Sequence, residues 1–277
     1  MKLGVINSIF FGSEIDAFGD GIEEVKKLGF DTIDIYPQDG EMSAEQLANV
    51  KRLTRQHNLP VAAGVSIIFG FFDPNRASRE FAKELGKRLV DLTAHMGGNN
   101  MLIVNGEYFW QLETGFTKDW IFNMAVEGTR AVGEYAEAVG IKIAIELEPF
   151  RMSIVNSIDT MDAFLRAVDL PNTVMANVDC SHLHLAGIAP SEIQRLKGRI
   201  AHVHISDALD THGDLPAGRG RAPLQDYINE LAKAGFEGTV ACELEWPPDP
   251  SRAGIVSWLR EAHDATAQLM RNAGVRG

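Results

Sequence analysis

Eight short β-like runs recur along the chain: Leu3–Asn7, Thr32–Tyr36, Val61–Ile67, Met101–Asn105, Lys142–Glu148, Val174–Asp179, Ala201–Ser206 and Thr239–Glu245. Amphipathic segments of helical period separate them. The first covers Ile15–Leu28 and stops at Gly29, a residue suited to a helix C-terminus. The second starts after Ser43, with Gln46 three residues on as a capping partner, and continues to Gln56. Asn75–His95 runs up to Gly97-Gly98, and Lys118–Val139 up to Gly140. Shorter helical stretches follow at Thr160–Val168, Ser191–Leu196 and Leu224–Ala234, and Ile255–Arg271 ends the series.

Strand and helix alternate with no linker, low-complexity tract or break in composition, so residues 1–277 read as a single domain. Repeated βα units imply parallel strands, and eight of them predict an α/β fold closed into a (β/α)8 TIM barrel. An open doubly wound sheet usually carries a Gly-rich turn after its first strand. Asn7-Ser8-Ile9-Phe10-Phe11-Gly12 lacks that pattern.

Four of the strands are apolar toward one side and ionisable toward the other, since alternate side chains on a strand point to opposite faces. Ile143, Ile145 and Leu147 oppose Ala144, Glu146 and Glu148. Val203 and Ile205 oppose His202 and His204, and Val240, Cys242 and Leu244 oppose Ala241, Glu243 and Glu245. The stretch Asn177-Val178-Asp179-Cys180-Ser181-His182-Leu183-His184 reads as a buried strand entering a loop. A solvated strand gives the same alternation, but helices cover a parallel sheet on its outside. Buried acids and imidazoles are costly unless something compensates them.

Length and composition narrow the picture. The 277 residues match the size of an α/β barrel, and 45% hydrophobic with 23% charged residues is ordinary for a globular chain. A net charge of −12 argues against nucleic acid or an anionic membrane as partner. Neither a signal-peptide pattern nor a membrane-length apolar run occurs, so the expectation is a cytoplasmic protein. Cys180 and Cys242 fall in predicted strands and read as core thiols rather than a disulfide. Phe69, Phe71 and Phe72 suggest an apolar rim or a subunit contact, hence a possible homo-oligomer.

In such barrels the chemistry sits at the C-terminal strand ends, where Glu146, Asp179, His204 and Glu243 come from neighbouring strands five to eight. Three carboxylates and an imidazole suit one divalent metal ion, Mn2+, Mg2+, Co2+ or Zn2+. Such an ion stabilises an enediolate beside a carbonyl, and a glutamate on each side can move the proton. Glu107, Trp110 and Trp246 are candidates for the pocket wall, an aromatic face suiting the C–H side of a sugar. Glu148 and Glu245 read as residues of the mouth, His202 as a deeper neighbour and His184 as a lesser substrate contact. His57, His95, His212 and His263 read as ordinary structural histidines.

Five segments in order resemble the sugar isomerases and epimerases of the xylose-isomerase-like barrel superfamily. They are Ile143-Ala-Ile-Glu146, Asp179-Cys-Ser-His182, His202-Val-His204, Pro216-Ala-Gly218-Arg219-Gly220 and Ala241-Cys-Glu243. The resemblance implies Glu146, Asp179, His204 and Glu243 as metal ligands, with Glu146 and Glu243 doubling as the acid/base pair. It implies His182 and an arginine of the Pro216–Arg221 loop, Arg219, as substrate-binding. The chain departs from the ketohexose 3-epimerase branch at two places. Met152 stands where that branch has a second glutamate, and Asp210 lies near the place of an expected arginine. Loop length and the Asp-x-x-His-x-His run resemble the inosose isomerase branch equally well.

The expected activity is a metal-dependent isomerisation or epimerisation of a free sugar, keto-inositol or polyol. A keto-polyol dehydratase would use the same centre. An abasic-site endonuclease would need a larger metal cluster and a basic groove, and a non-catalytic sugar- or metal-binding barrel is the remaining alternative. The expected partner is a small carbohydrate or polyol, with no nucleic acid and no membrane.

Overall fold

A computed structural model describes residues 1–37, 40–105 and 116–277. Eight parallel strands close in sequence order: β1 (Lys2–Ile6), β2 (Thr32–Ile35), β3 (Val61–Ile68), β4 (Asn100–Asn105), β5 (Lys142–Glu146), β6 (Val174–Asp179), β7 (Ile200–Ile205) and β8 (Thr239–Cys242). The ring shuts where β1 pairs with β8, Lys2 opposite Thr239 and Val5 opposite Cys242. Outside lie α1 (Asp20–Leu28), α2 (Ala44–Gln56), α3 (Arg76–Met96), α4 (Lys118–Val139), α5 (Ile158–Val168), α6 (Cys180–Leu185), α7 (Leu224–Lys233) and α8 (Arg252–Asn272). Short 3-10 turns occupy Asn7–Phe10 and Pro190–Leu196. Among the described residues no helix is long and apolar enough to cross a membrane.

Local chemistry sets the ends of the helices. Ser43 and Gln46 form a reciprocal capping box at the start of α2. Gly29, Gly97 and Gly140 close α1, α3 and α4 in the left-handed conformation that glycine adopts without a steric penalty. The predicted start of α1 at Ile15 is corrected to Asp20. The Asp16 carboxylate accepts from the N–H of Phe18, and its carbonyl from Gly19 and Gly21, so a turn replaces the first helical residues. The expected loop after β6 is the short helix α6. Asp179 caps it by accepting the N–H of His182 at 2.7 Å. Cys180 therefore begins a helix rather than lying in a strand, while both cysteines are buried and free.

Strand alternation sorts the core into two regions. Outward side chains such as Val5, Ile33, Ile143, Val178 and Val240 pack under the helices. Inside the ring, Ile6, Val65, Leu102 and Ala144 fill one part. Beside them stand buried polar side chains, Asp34, Glu146, Asn177, Asp179, His202 and His204. The three phenylalanines after β3 do not form a common rim: Phe71 and Phe72 are buried, and only Phe69 is exposed.

Candidate metal centre

Glu146 is the last residue of β5, Asp179 the last of β6, and His204 the penultimate of β7. Glu243 directly follows β8, its N–H still bonded to the Ile205 carbonyl at 3.2 Å. Register brings these side chains to one level, because Glu146 pairs with Asn177 and Asp179 with His204. One ligand atom from each of Glu146, Asp179 and His204 lies within 4.8 Å of the others. His204 Nδ1 is 2.9 Å from a Glu243 oxygen and 3.9 Å from a Glu146 oxygen.

Burial and close approach set the electrostatics of these groups. Burial pushes the Glu146 carboxyl up to about 8, despite His204 and His182 beside it. Burial also acts against charge on Glu243, yet His204 outweighs it and holds that carboxyl down to about 2. Asp179 Oδ1 is committed to Ser181 and to the cap of α6, whereas its Oδ2 is buried with no hydrogen-bond partner. An oxygen-rich donor set with such an orphaned buried oxygen fits a divalent cation. Glu146, Asp179, His204 through Nδ1, and Glu243 would hold it.

Three buried groups position this set. Asn177 Nδ2 donates to both oxygens of Glu146 at 2.8 Å and fixes that carboxylate. Asp34 of β2 accepts from His202 Nε2 at 2.7 Å and from the Ala63 N–H at 3.0 Å. Asp34 Oδ2, the oxygen that meets His202, is also 3.6 Å from His204 Nε2, so Asp34 stands behind the ring while Nδ1 faces Glu243 and Glu146. His202 thus lies one layer below His204, as its parity predicts.

Above the set is a pocket of about 300 Å³ lined by Glu146, Glu148, His182, His212, Glu243, Glu245 and Trp246, with Ile6, Tyr36, Val65 and Phe150 among its other walls. Burial raises Glu148, and it lifts Glu245 to about 7 with Glu243 adding to the effect. His182 Nδ1 contacts the Leu147 carbonyl at 2.8 Å. Burial opposes a proton on this ring, but Asp179, Glu148 and Glu146 outweigh it and raise His182 to about 10.

Arg219 does not face this pocket. Its guanidinium donates to Glu261 of α8 at 2.5 and 2.8 Å and lies 4.4 Å over the Trp258 ring, away from the pocket lining. Arg221 pairs with Asp210 at 3.1 Å, both exposed. Glu107 and Trp110 lie outside the described residues. His184 sits on α6 and, like Met152, is not part of the pocket lining.

Sequence reasoning assigned no role to Asp34 or Asn177 and read His212 as structural. A signal existed for Asp34, a carboxylate in the middle of the otherwise apolar and fully buried strand Thr-Ile-Asp-Ile. For His212, in a long loop, the sequence carried none.

The xylose isomerase-like TIM barrel family model matches residues 22–262. D-psicose 3-epimerase of Ruminiclostridium cellulolyticum is 28% identical over 237 residues, covering 80% of this chain and 76% of that protein. The crystal structure of a D-psicose 3-epimerase in the presence of D-fructose superposes with a TM-score of 0.82 at 20% identity, covering 98% of this chain and 99% of the other. The structure of the IOLI protein with a binding zinc atom gives a TM-score of 0.82 at 19% identity and covers 99% of each chain. At those identities the structural likeness is one of fold. With the family match spanning most of the barrel, the chain belongs to the xylose isomerase-like TIM barrel family.

Proposed function

We propose that this protein is a divalent-metal-dependent epimerase of an unphosphorylated ketose, inverting the carbon beside the carbonyl. The observation that carries the reading is the approach of Glu146 and Glu243 to the same ring nitrogen of His204. These two carboxylates come from the strands on either side of β6 and β7, which supply Asp179 and His204. The similarity to D-psicose 3-epimerase supports the same chemistry.

A divalent ion bound by Glu146, Asp179, His204 and Glu243 supplies Lewis-acid stabilisation of negative charge on the substrate oxygens. The remaining work falls to the side chains. Inversion at carbon needs a base on one face and a proton donor on the other. Burial pushes Glu146 up while His204 holds Glu243 down, so the two carboxyls differ in the direction a donor and a base require. Glu243 takes the proton from one epimer and Glu146 delivers its own to the opposite face. The reverse reaction exchanges the roles. His182 Nε2 binds a substrate oxygen, and Asn177 keeps the Glu146 carboxylate from rotating.

A free sugar suits the lining better than a phosphorylated one. Among the described residues the pocket holds four glutamates and no lysine or arginine. A phosphate entering that mouth would find no lysine or arginine among the described residues to pair with.

The test is incubation of Mn2+-loaded protein with D-fructose, D-psicose and their phosphates in D2O. Epimer carrying one solvent deuterium beside the carbonyl is expected from a free ketose and not from the phosphates. Absence of exchange with every ketose would sink the reading, and loss of one water from the substrate would replace it with the dehydratase.

A further inference from the structure

His212 has the surroundings of a pocket residue rather than of a surface loop. Its loop, between β7 and α7, is anchored twice. Asp207 and Leu215 exchange backbone hydrogen bonds of 2.7 and 2.9 Å. The buried Asp207 carboxylate accepts the N–H groups of Ala208, Gly218 and Ala222 at 2.8–3.0 Å. Held in this way, the loop lays the His212 ring against Phe150, His182 and Trp246, with centroids 6.2, 4.9 and 6.1 Å away.

The hydrogen-bond inventory restricts the two imidazoles. The Leu147 carbonyl only accepts, so the His182 Nδ1 beside it carries the hydrogen. His182 Nε2 is then the nitrogen presented to the pocket, and His212 Nε2 lies 2.9 Å from it. One of these nitrogens donates and the other accepts. On its far side His212 Nδ1 is 3.6 Å from Asp214 Oδ2, a buried oxygen with no hydrogen-bond partner. Asp214 Oδ1 accepts from Ser206 Oγ at 3.1 Å. Asp214 itself has a φ of +42°, a left-handed conformation uncommon outside glycine, imposed on a residue whose side chain points back at His212.

We propose that His212 is a substrate-contacting, specificity-determining residue, its Nε2 and that of His182 clamping one substrate hydroxyl while Asp214 orients the His212 ring. The inference rests on the ketose-epimerase reading. A hydroxyl both donates and accepts, which matches a nitrogen pair with one donor and one acceptor. Its oxygen at hydrogen-bond distance from both rings requires the nitrogens to part by roughly 1–2 Å. The His212 side chain is 27% exposed and has room to make that movement, whereas His182 is pinned by Leu147. The pair thereby supplies polar recognition in a pocket that Arg219 does not reach.

Steady-state kinetics on the Mn2+-loaded protein with whichever ketose it epimerises provide the test. His212→Ala is expected to raise KM at least tenfold with kcat within threefold, the pattern of a contact made equally in ground and transition states. His212→Asn, a second variant in case the first is poorly folded, should raise KM in the same direction. Asp214→Asn should raise KM less, and the double variant with His212→Ala should match His212→Ala alone within twofold, because Asp214 acts through that ring. A KM within twofold of wild type in both His212 variants overturns the proposal and leaves the epimerase reading standing. So does a full additional Asp214→Asn effect in the double variant, which marks a merely structural role. A wild-type protein inactive on every ketose overturns both.

Discussion

Asp34 and His202 meet across the barrel interior at 2.7 Å, both wholly buried, and the same Asp34 oxygen lies 3.6 Å from His204 Nε2. One carboxylate from β2 thus aligns two successive inward side chains of β7. Replacing a group that orients a ligating histidine typically lowers metal affinity by about 10–100-fold. Asp34→Asn is therefore expected to weaken Mn2+ binding by that order, read by isothermal titration, without removing any of the four ligands. Unchanged affinity would show that His204 needs no such support.

The same carboxylate has a signature in acid. Burial opposes its charge, but His202 and His204 hold it down to about 2 from an ordinary 3.8. A carboxyl depressed in the folded state stabilises the protein above its unfolded value, and that contribution disappears as pH falls toward 2. The amount is on the order of 2 kcal/mol. The stability gap between wild type and Asp34→Asn should accordingly narrow between about pH 4 and pH 2 in urea titrations. A gap constant over that range would contradict the assignment.

Metal removal gives a separate measure. An ion that binds only the folded protein adds about 2.7 kcal/mol at a hundredfold excess over its Kd. For a chain of this size that corresponds to roughly 4–6 °C in Tm. Chelated protein should melt lower by this amount and recover with Mn2+. Asp179→Asn, which can still cap α6, should lose most of the metal-dependent rise while retaining the chelated Tm. Equal melting with and without Mn2+ in the wild type would count against the centre.

Much of this architecture could be read from the chain because barrel strands obey a simple parity. Glu146, Asp179 and His204 are separated in sequence, yet each lies on the inward face at a strand's C-terminal end, and Glu243 follows directly. Closure of the ring then leaves them little choice but to converge. What parity cannot encode is which loop side chain folds back over the mouth. His212 and Arg219 lie in one loop segment after β7, and nothing in their spacing distinguishes the ring held by Asp214 from the guanidinium drawn to Glu261. Asp34 was legible but passed over, because β2 carries no second ionisable group to draw attention to it.

Arg219 tests that distinction. It is half-exposed, paired with Glu261 and stacked over Trp258. An exposed pair of this kind contributes about 0.2–1 kcal/mol, with a cation–π contact adding a similar amount. Arg219→Ala should cost on the order of 1 kcal/mol of stability and leave KM within twofold of wild type. A tenfold rise in KM would show that the loop turns this side chain into the pocket when substrate binds.

The two-base assignment separates the glutamates by what each can still do alone. Under saturating Mn2+, Glu146→Gln and Glu243→Gln should each lower epimerisation by roughly 10²–10⁴-fold, since an amide neither takes nor delivers the proton. Exchange without inversion behaves differently. Glu146→Gln keeps the base that serves one epimer, so that epimer should still acquire solvent deuterium while its partner does not. Glu243→Gln should show the opposite preference. Mass spectrometry of each ketose recovered from D2O reads the pattern directly. If both variants exchange the same epimer, or if one retains full epimerisation, a single carboxylate serves both faces and the paired mechanism falls.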